Sequence, residues 1–449
     1  MTDDGPRFTT QRPRLLLLAF CFPPLQNVAS LRPAYMAKYL SRRGWDVTVV
    51  TPDPALWRLI DDPEAAAASL AEWGVHMIYT DHRWRFLSSG HLKRAYDRGP
   101  IWLLEGLTRR IARIAGIDEN TGWYSEVQLA CADLKLGDVD VVLITGGPFG
   151  AFHVGQNLAR RLGCPYVLDY RDLWTDNPHA RDADREMRER AERPVLADSS
   201  AVIVVSPSMA QSLGDRFGVF DRVNVVTNGF DPDDLAEVEA ASFEHFAIVY
   251  AGRFYPPKST VSPLMMALTQ LNKLRELDAW AFHYYGPQGD LVTSEAAAWG
   301  LEGRLVNHGM VPRTEVLAAL RGAGCAVVIT SVLETAEKSD LGIMTGKIFE
   351  AIGLGTKLLV IAPPDSDVDS VVREAGQGRT FVGSDASGMA AYLSSLMDSR
   401  EPAAGVPAEY SWPALADKVD SVLRSAIADF QETIADEPRR FRSPAPRWR

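Results

Sequence analysis

Cysteine is scarce in this 449-residue chain. There are four, at Cys21, Cys131, Cys164 and Cys325, and no two form a CxxC pair. A zinc ribbon and a thioredoxin-type site are therefore unsupported, and a reduced, cytoplasmic compartment is the default reading. Long apolar runs are missing as well: nothing reaches the roughly 18–20 residues that cross a bilayer. The nearest, LLLLAFCF from Leu15 to Phe22, follows Arg12 and Arg14 in the manner of a signal peptide. Pro23 and Pro24 then stop it and a helix–strand pattern follows, so it reads as a buried first strand. Positive charge is in deficit, 47 Lys and Arg against 58 Asp and Glu, which argues against nucleic acid as a partner. No GxGxxG follows the first strand, which weighs against a nicotinamide dehydrogenase. No short internal repeat is present, so a solenoid is excluded.

What is present is an ordinary globular composition, 46% apolar and 23% charged. Strands are expected at Leu15 to Phe22, Asp46 to Thr51, Val139 to Thr145, Tyr166 to Tyr170, Ala201 to Val205 and Val223 to Thr227. The intervening helices include Leu31 to Arg43 and Phe152 to Leu162. A second series starts at Phe246 and continues with strands at Ala281 to Tyr285, Leu305 to His308, Ala326 to Thr330 and Lys357 to Ile361. The fold class is therefore α/β: two doubly wound, Rossmann-like parallel-sheet domains facing across a cleft. The boundaries expected are 1–240, 241–410, a closing helix over 411–435 and a basic, disordered tail over 436–449. The acidic stretch from Asp231 to Glu244 is the expected connection between the domains.

Two elements of the second half point to an anion. Gly252, Arg253 and Lys258 follow the strand FAIVYA, so two cations lie just beyond a strand's carboxyl end, where a fork and a point charge suit a diphosphate. The string TGKIFEAIGLG then reads as a helix start, where outward-facing amides and the helix dipole favour anions. Thr345, Gly346 and Lys347 would cradle phosphate there, and Glu350, one turn in, can accept two vicinal ribose hydroxyls. Each has a plainer reading, a solvated loop or a surface carboxylate; their combination favours the site.

The first half offers acceptor-side candidates. His153 follows the strand VVLIT and the turn GGPFG, and an imidazole there can orient a hydroxyl or simply hold a backbone carbonyl. Asp169, Arg171 and Asp172 follow the next strand, with Asp172 the candidate for the cleft; Asn27 and Arg32 belong to the first loop and helix. The triplet Asp138-Val139-Asp140 precedes its strand, on the wrong side for a cleft, and Asp365, Asp367 and Asp369 form a second acidic cluster; neither is read as a metal site. Residues 81–113 carry eight Lys or Arg against three acids, interleaved with aromatics. That pattern suits peripheral contact with a membrane or a solvated insertion.

In order and spacing, these strings resemble the retaining GT-B glycosyltransferases of family 4 from about Arg14 to Leu423. The opening FCFPPLQNVASLRPAYMAKYLSRRGWDVTVVT, then VLDYRDLW, VVTNGFD, AGRFYPPK, HYYGP, NHGMVPRTEV, KIFEAIGLG and YSWPALADKVDSVL carry the resemblance. It implies transfer of a sugar from a nucleoside-diphosphate donor to an acceptor hydroxyl with retention, without a metal or other cofactor. The acceptor is a polysaccharide, a lipid-linked sugar or a small natural product. Arg253 and Lys258 would neutralise the donor diphosphate and act in catalysis, Glu350 would bind the ribose and the backbone of Val311 the base. His153 would act at the donor sugar or acceptor. The last helix would return to the first domain. The chain departs from many relatives at Gly342, where the first of two paired glutamates is missing, so it resembles a KxxE subgroup through Lys347 and Glu350. A catalytically degenerate nucleotide-binding protein and a nucleotide-sugar 2-epimerase are the alternatives.

Overall fold

The computed structural model describes residues 12–58, 60, 62–83, 120–178, 182–275, 279–334, 338–399 and 405–440. Of the basic–aromatic stretch 81–113 only Asp81, His82 and Arg83 are described, and Glu337 and the tail beyond 440 also lie outside the described residues.

Strands β1 (Arg14–Leu18), β2 (Asp46–Pro52), β3 (His76–Thr80), β4 (Val141–Thr145), β5 (Tyr166–Tyr170), β6 (Ala201–Val204) and β7 (Val223–Val225) form one parallel sheet in the order β3-β2-β1-β4-β5-β6-β7. Strands β8 (Phe246–Ala251), β9 (Trp280–Tyr285), β10 (Leu305–Gly309), β11 (Cys325–Ile329), β12 (Leu358–Ile361) and β13 (Gly378–Phe381) form a second in the order β10-β9-β8-β11-β12-β13. The central strands are buried on both faces, which is why they appear in the sequence as unbroken apolar runs: β4, β5 and β11 have no exposed residue. The first strand is shorter than expected. Its register with β2 ends at Leu18, Ala19 N–H adds one more bond to the Val50 carbonyl (3.1 Å), and the chain then enters a loop in which Phe20, Phe22 and Leu25 stay buried.

In each sheet the strand order reverses once, between β1 and β4 and between β8 and β11. Loops leaving the carboxyl ends of such a pair diverge and leave a crevice. The chain crosses between domains at Phe230, whose N–H donates to the Tyr410 carbonyl (3.0 Å) and whose carbonyl accepts from Trp412 N–H (2.9 Å). After that crossing the helix Trp412–Arg440 lies on the first sheet. Its Trp412, Leu415, Ala416, Val419 and Leu423 share one buried cluster with Tyr35 and with Leu15, Leu17, Leu143 and Val167 of the strands. The helix runs through Arg440, past the expected start of the tail. No helix among the described residues is long and apolar enough to cross a membrane.

Candidate functional site

The helix Gly346–Gly353 is anchored by Ile348, Phe349, Ala351 and Ile352, all buried, so its amino end is held at the carboxyl edge of the second sheet. Thr345 precedes it in an extended conformation, and its side chain makes no capping bond. Ile348 N–H bonds back to the Thr345 carbonyl (3.4 Å), while the amides of Gly346 and Lys347 have no partner among the described residues and face the position a ligand anion would take. Gly252, at the end of β8, meets the second residue of the helix. It has φ +143°, and a Cβ placed on it would lie 1.6 Å from Lys347 Nζ. Both the backbone conformation and the close approach require glycine. Lys347 Nζ also lies 5.5 Å from the Tyr250 ring centroid. Burial pushes its pKa down to about 8, and nearby Glu350 pulls partly the other way.

Arg253 is exposed, and among the described residues its guanidinium has no acidic partner. Lys258 is different. Its ammonium lies 2.5 Å from Asp340, a carboxylate with 1% of its side chain exposed. The carbonyl of Lys258 accepts from Val332 N–H (2.7 Å), which ties the loop after β8 to the loop after β11 at the switch point. Val311 follows the edge strand β10, and among the described residues its backbone N–H and carbonyl form no hydrogen bond.

Glu350 is engaged in a way the sequence did not show. Its Oε1 accepts from both Nε (3.0 Å) and Nη2 (2.8 Å) of Arg313. Arg313 also donates to Asp234 (3.0 Å) and to the Tyr35 hydroxyl (3.3 Å), and Tyr35 itself donates to Asp234 (2.5 Å). The acids and Tyr35 around it hold the Arg313 guanidinium firmly in its charged form. The carboxylate is therefore linked through one guanidinium to the first domain.

The first domain faces this helix tip directly: a Cβ on Gly346 would lie 4.0 Å from Val28 Cγ2. Asn27, beside Val28, uses its Oδ1 to cap its own short turn, accepting from Ala29 N–H (2.9 Å). Arg32, expected to meet the acceptor, is instead buried and structural. Nε and Nη2 bind Asp169 at 2.8–3.2 Å, Nη2 also the Val226 carbonyl (3.0 Å), and Nη1 the Thr227 carbonyl (2.8 Å) and Asn228 Oδ1 (3.3 Å). All five N–H donors of a guanidinium are then engaged, leaving none for an acceptor. Asp169 is fully buried in that pair, so a cleft role for it is closed too. Arg171 clamps the turn after β4, donating to the carbonyls of Gly146 and Gly147 and to Ala29.

His153 is half-buried, with its ring 5.9 Å from Trp174 and hydrogen-bonded to the backbone of Ala191. Burial lowers its pKa, with the Ala191 backbone bond working partly the other way, which favours the neutral imidazole. Asp172 is exposed and, among the described residues, unpartnered. Beyond it, a cavity of about 740 Å³ opens between the domains. Thr175, Asp176, Arg188 and Arg216 line it from the first domain and Lys258 and Lys338 from the second. That volume is within the usual range for a ligand site. Of the acidic triplets, Asp140 is taken by Arg14 (2.9 Å) and Asp367 by Ser208 across the domain boundary.

The structure thus brings Gly252 and Lys347 together at one helix tip, with Thr345, Gly346 and Glu350 on the same helix; Arg253 follows Gly252 in the chain, and Lys258, further along that loop, lies against Asp340 and the interdomain cavity. Arg32 stands apart as scaffold. Arg313, Tyr35, Asp234 and Asp340 were missed. The only sequence signal for Arg313 was its place in VPRTEV, two residues after Val311.

Residues 30–229 match the family model described as a glycosyl transferase 4-like domain. No curated protein matches the chain in sequence. Among solved structures, alpha,alpha-trehalose 6-phosphate synthase from Burkholderia multivorans is 13% identical, with a TM-score of 0.57 over 97% of this chain and 100% of that one. Sucrose-phosphate synthase from Thermosynechococcus elongatus is 16% identical, with a TM-score of 0.54 over 96% and 99%. HepE of Anabaena, solved in complex with UDP, is 13% identical, with a TM-score of 0.53 over 94% and 98%. The chain therefore has the GT-B fold of glycosyltransferases, and its residues 30–229 are similar to the glycosyl transferase 4-like domain.

Proposed function

We propose that this protein is a retaining glycosyltransferase that moves a sugar from a nucleoside-diphosphate donor to an acceptor hydroxyl without a metal. One observation carries the reading. An uncapped helix tip and a lysine admitted by a glycine with φ +143° meet at the carboxyl edge of one sheet, opposite the first loop of the other, and two further cations lie on the loop that follows that glycine. Cations and helix amides aimed at the leaving diphosphate stabilise the charge that grows there as the sugar–phosphate bond breaks. In this reading Arg253 takes the diphosphate as a fork and Lys258 and Lys347 as point charges. Glu350, whose Oε1 is held by Arg313, binds the ribose, and the backbone of Val311 meets the base.

The acceptor enters from the first domain, past Asn27 and Asp172. It is a polysaccharide end, a lipid-linked sugar or a small natural product, and the lipid-linked case would bring residues 81–113 to a membrane surface. The acceptor hydroxyl attacks from the face the diphosphate leaves, and the diphosphate takes its proton. Neutral His153, fixed by Ala191 and Trp174, orients sugar or acceptor rather than removing the proton. Closure of the two domains excludes water from the developing cation.

The test is purified protein incubated with UDP-, GDP- and dTDP-sugars and an acceptor panel in excess chelator. HepE is solved with UDP, so UDP-sugars come first. Transfer with the donor's anomeric configuration preserved is expected. Inversion, or loss of activity on chelation, would overturn the corresponding half of the proposal. Nucleotide binding with no turnover on any acceptor would favour a degenerate, binding-only protein.

A further inference from the structure

Lysine reaches its target on a flexible four-carbon stem, and its three N–H donors rotate freely. Lys258 is an exception. Its ammonium is held at Asp340 (2.5 Å), and Lys258 also lines the interdomain cavity. Asp340 is 1% exposed, so its charge is compensated by protein rather than by water. It sits on the single helical turn Lys338–Leu341. Two residues on, Gly342 is pressed against the first domain. Its carbonyl accepts from Ser206 Oγ (3.3 Å), and a Cβ on it would lie 3.1 Å from that oxygen and 3.3 Å from Met209 Cγ. The turn is thus held from two sides, by Lys258 in its own domain and by the start of the helix Pro207–Phe217 in the other.

We infer that Asp340 is a positioning residue: it aims Lys258 at the donor diphosphate and couples that aim to the contact between the domains. The inference rests on the glycosyl-transfer reading and assigns a role to a residue that touches no substrate. Because Asp340 acts through Lys258, its effect should vanish when Lys258 is already gone. Only ligands that carry the second phosphate should register it.

The experiment measures UDP and UMP affinity, or GDP and GMP if those bind better, for wild type, Asp340→Asn, Lys258→Met and the double variant, with thermal melts as the control for folding. Asp340→Asn is expected to bind the diphosphate roughly tenfold more weakly while monophosphate affinity changes less than about twofold. The double variant should match Lys258→Met. Asp340→Glu, which keeps the charge, should recover part of the loss. Should Asp340→Asn fail to fold, Asp340→Glu decides in its place: it keeps the charge but moves the carboxylate, so a partial loss confined to the diphosphate is expected, and wild-type affinity for both ligands would overturn the assignment. Wild-type diphosphate affinity in Asp340→Asn, equal losses for mono- and diphosphate, or a further loss in the double variant would overturn the assignment. A wild-type protein that binds no nucleoside diphosphate at all would instead remove the glycosyl-transfer reading on which it rests.

Discussion

Raising the pH from 7 to 9 should weaken nucleoside-diphosphate binding roughly tenfold, because the charge on Lys347 is conditional. Burial between Gly252, Tyr250 and the helix tip brings its pKa from 10.5 down to about 8. In the free protein the amine is then about nine-tenths charged at pH 7 and about one-tenth at pH 9. A lysine with an ordinary pKa would stay charged throughout and give a flat profile. The diphosphate is fully ionised over this range, since a terminal phosphate loses its last proton at about pH 6. The pH dependence therefore belongs to the protein, and binding near pH 9 should take up on the order of one proton.

The sign for stability is the opposite of the usual lysine case. Between about 8 and 10.5 the unfolded chain holds a proton that the folded chain lacks, so Lys347 makes the fold less stable as pH falls from the top of that window and costs stability in full below it. Stability rises with pH wherever the unfolded state binds more protons, so the penalty is relieved as pH climbs through the same window. Titration calorimetry in buffers of different ionisation heat reads the proton uptake directly. Lys347→Met should lose roughly ten- to hundredfold in affinity at pH 7 and have no slope up to pH 9. An affinity independent of pH in the wild type, or the same slope in Lys347→Met, would refute the reasoning.

Other perturbations separate site from scaffold. Gly252→Ala should displace Lys347 and forbid the φ of +143°, so nucleotide affinity falls with a stability loss of about 1–3 kcal/mol, read by isothermal binding and denaturant titration. Arg32→Leu leaves Asp169 buried and unpaired and should lower stability by about 3–5 kcal/mol, whereas Asp172→Ala should leave the melting temperature unchanged and lower turnover at limiting acceptor. Glu192 is fully buried, accepts from Thr175 N–H (2.9 Å), and is raised to about 7 by burial. Its folded pKa lies above its unfolded one, so its contribution to stability is complete below about pH 4.5 and lost as pH rises through about 7. Glu192→Gln should therefore be more stable than wild type at pH 8, by on the order of 3 kcal/mol at most, with the gap narrowing as pH falls and closing below about pH 4.5.

The fold was legible where a strand is buried on both faces. It was not at β3 and β13, the outer strands HMIYT and GRTF, whose His76, Tyr79 and Arg379 face solvent and break the apolar run. The placement of the helix tip was legible because it is local: a glycine, a helix start and its lysine lie within one short string, and the strand end before Gly252 marks the sheet's carboxyl edge. What was not legible depends on distant partners. Arg313 meets Tyr35 from 278 positions away, and Arg32 meets Asp169 from 137.

The contrast between Arg32 and Arg253 shows why position alone misleads. Both lie beyond the carboxyl end of a strand next to a switch point, and both fit a segment that greets a ligand. Arg32 has every N–H engaged by Asp169, Asn228 and two carbonyls, while Arg253 is exposed and, among the described residues, has no acidic partner. A guanidinium serves as a ligand site only with the donors the fold leaves over. Sequence places the cation at the crevice, but the partners folded around it decide whether it binds a substrate or holds a domain together.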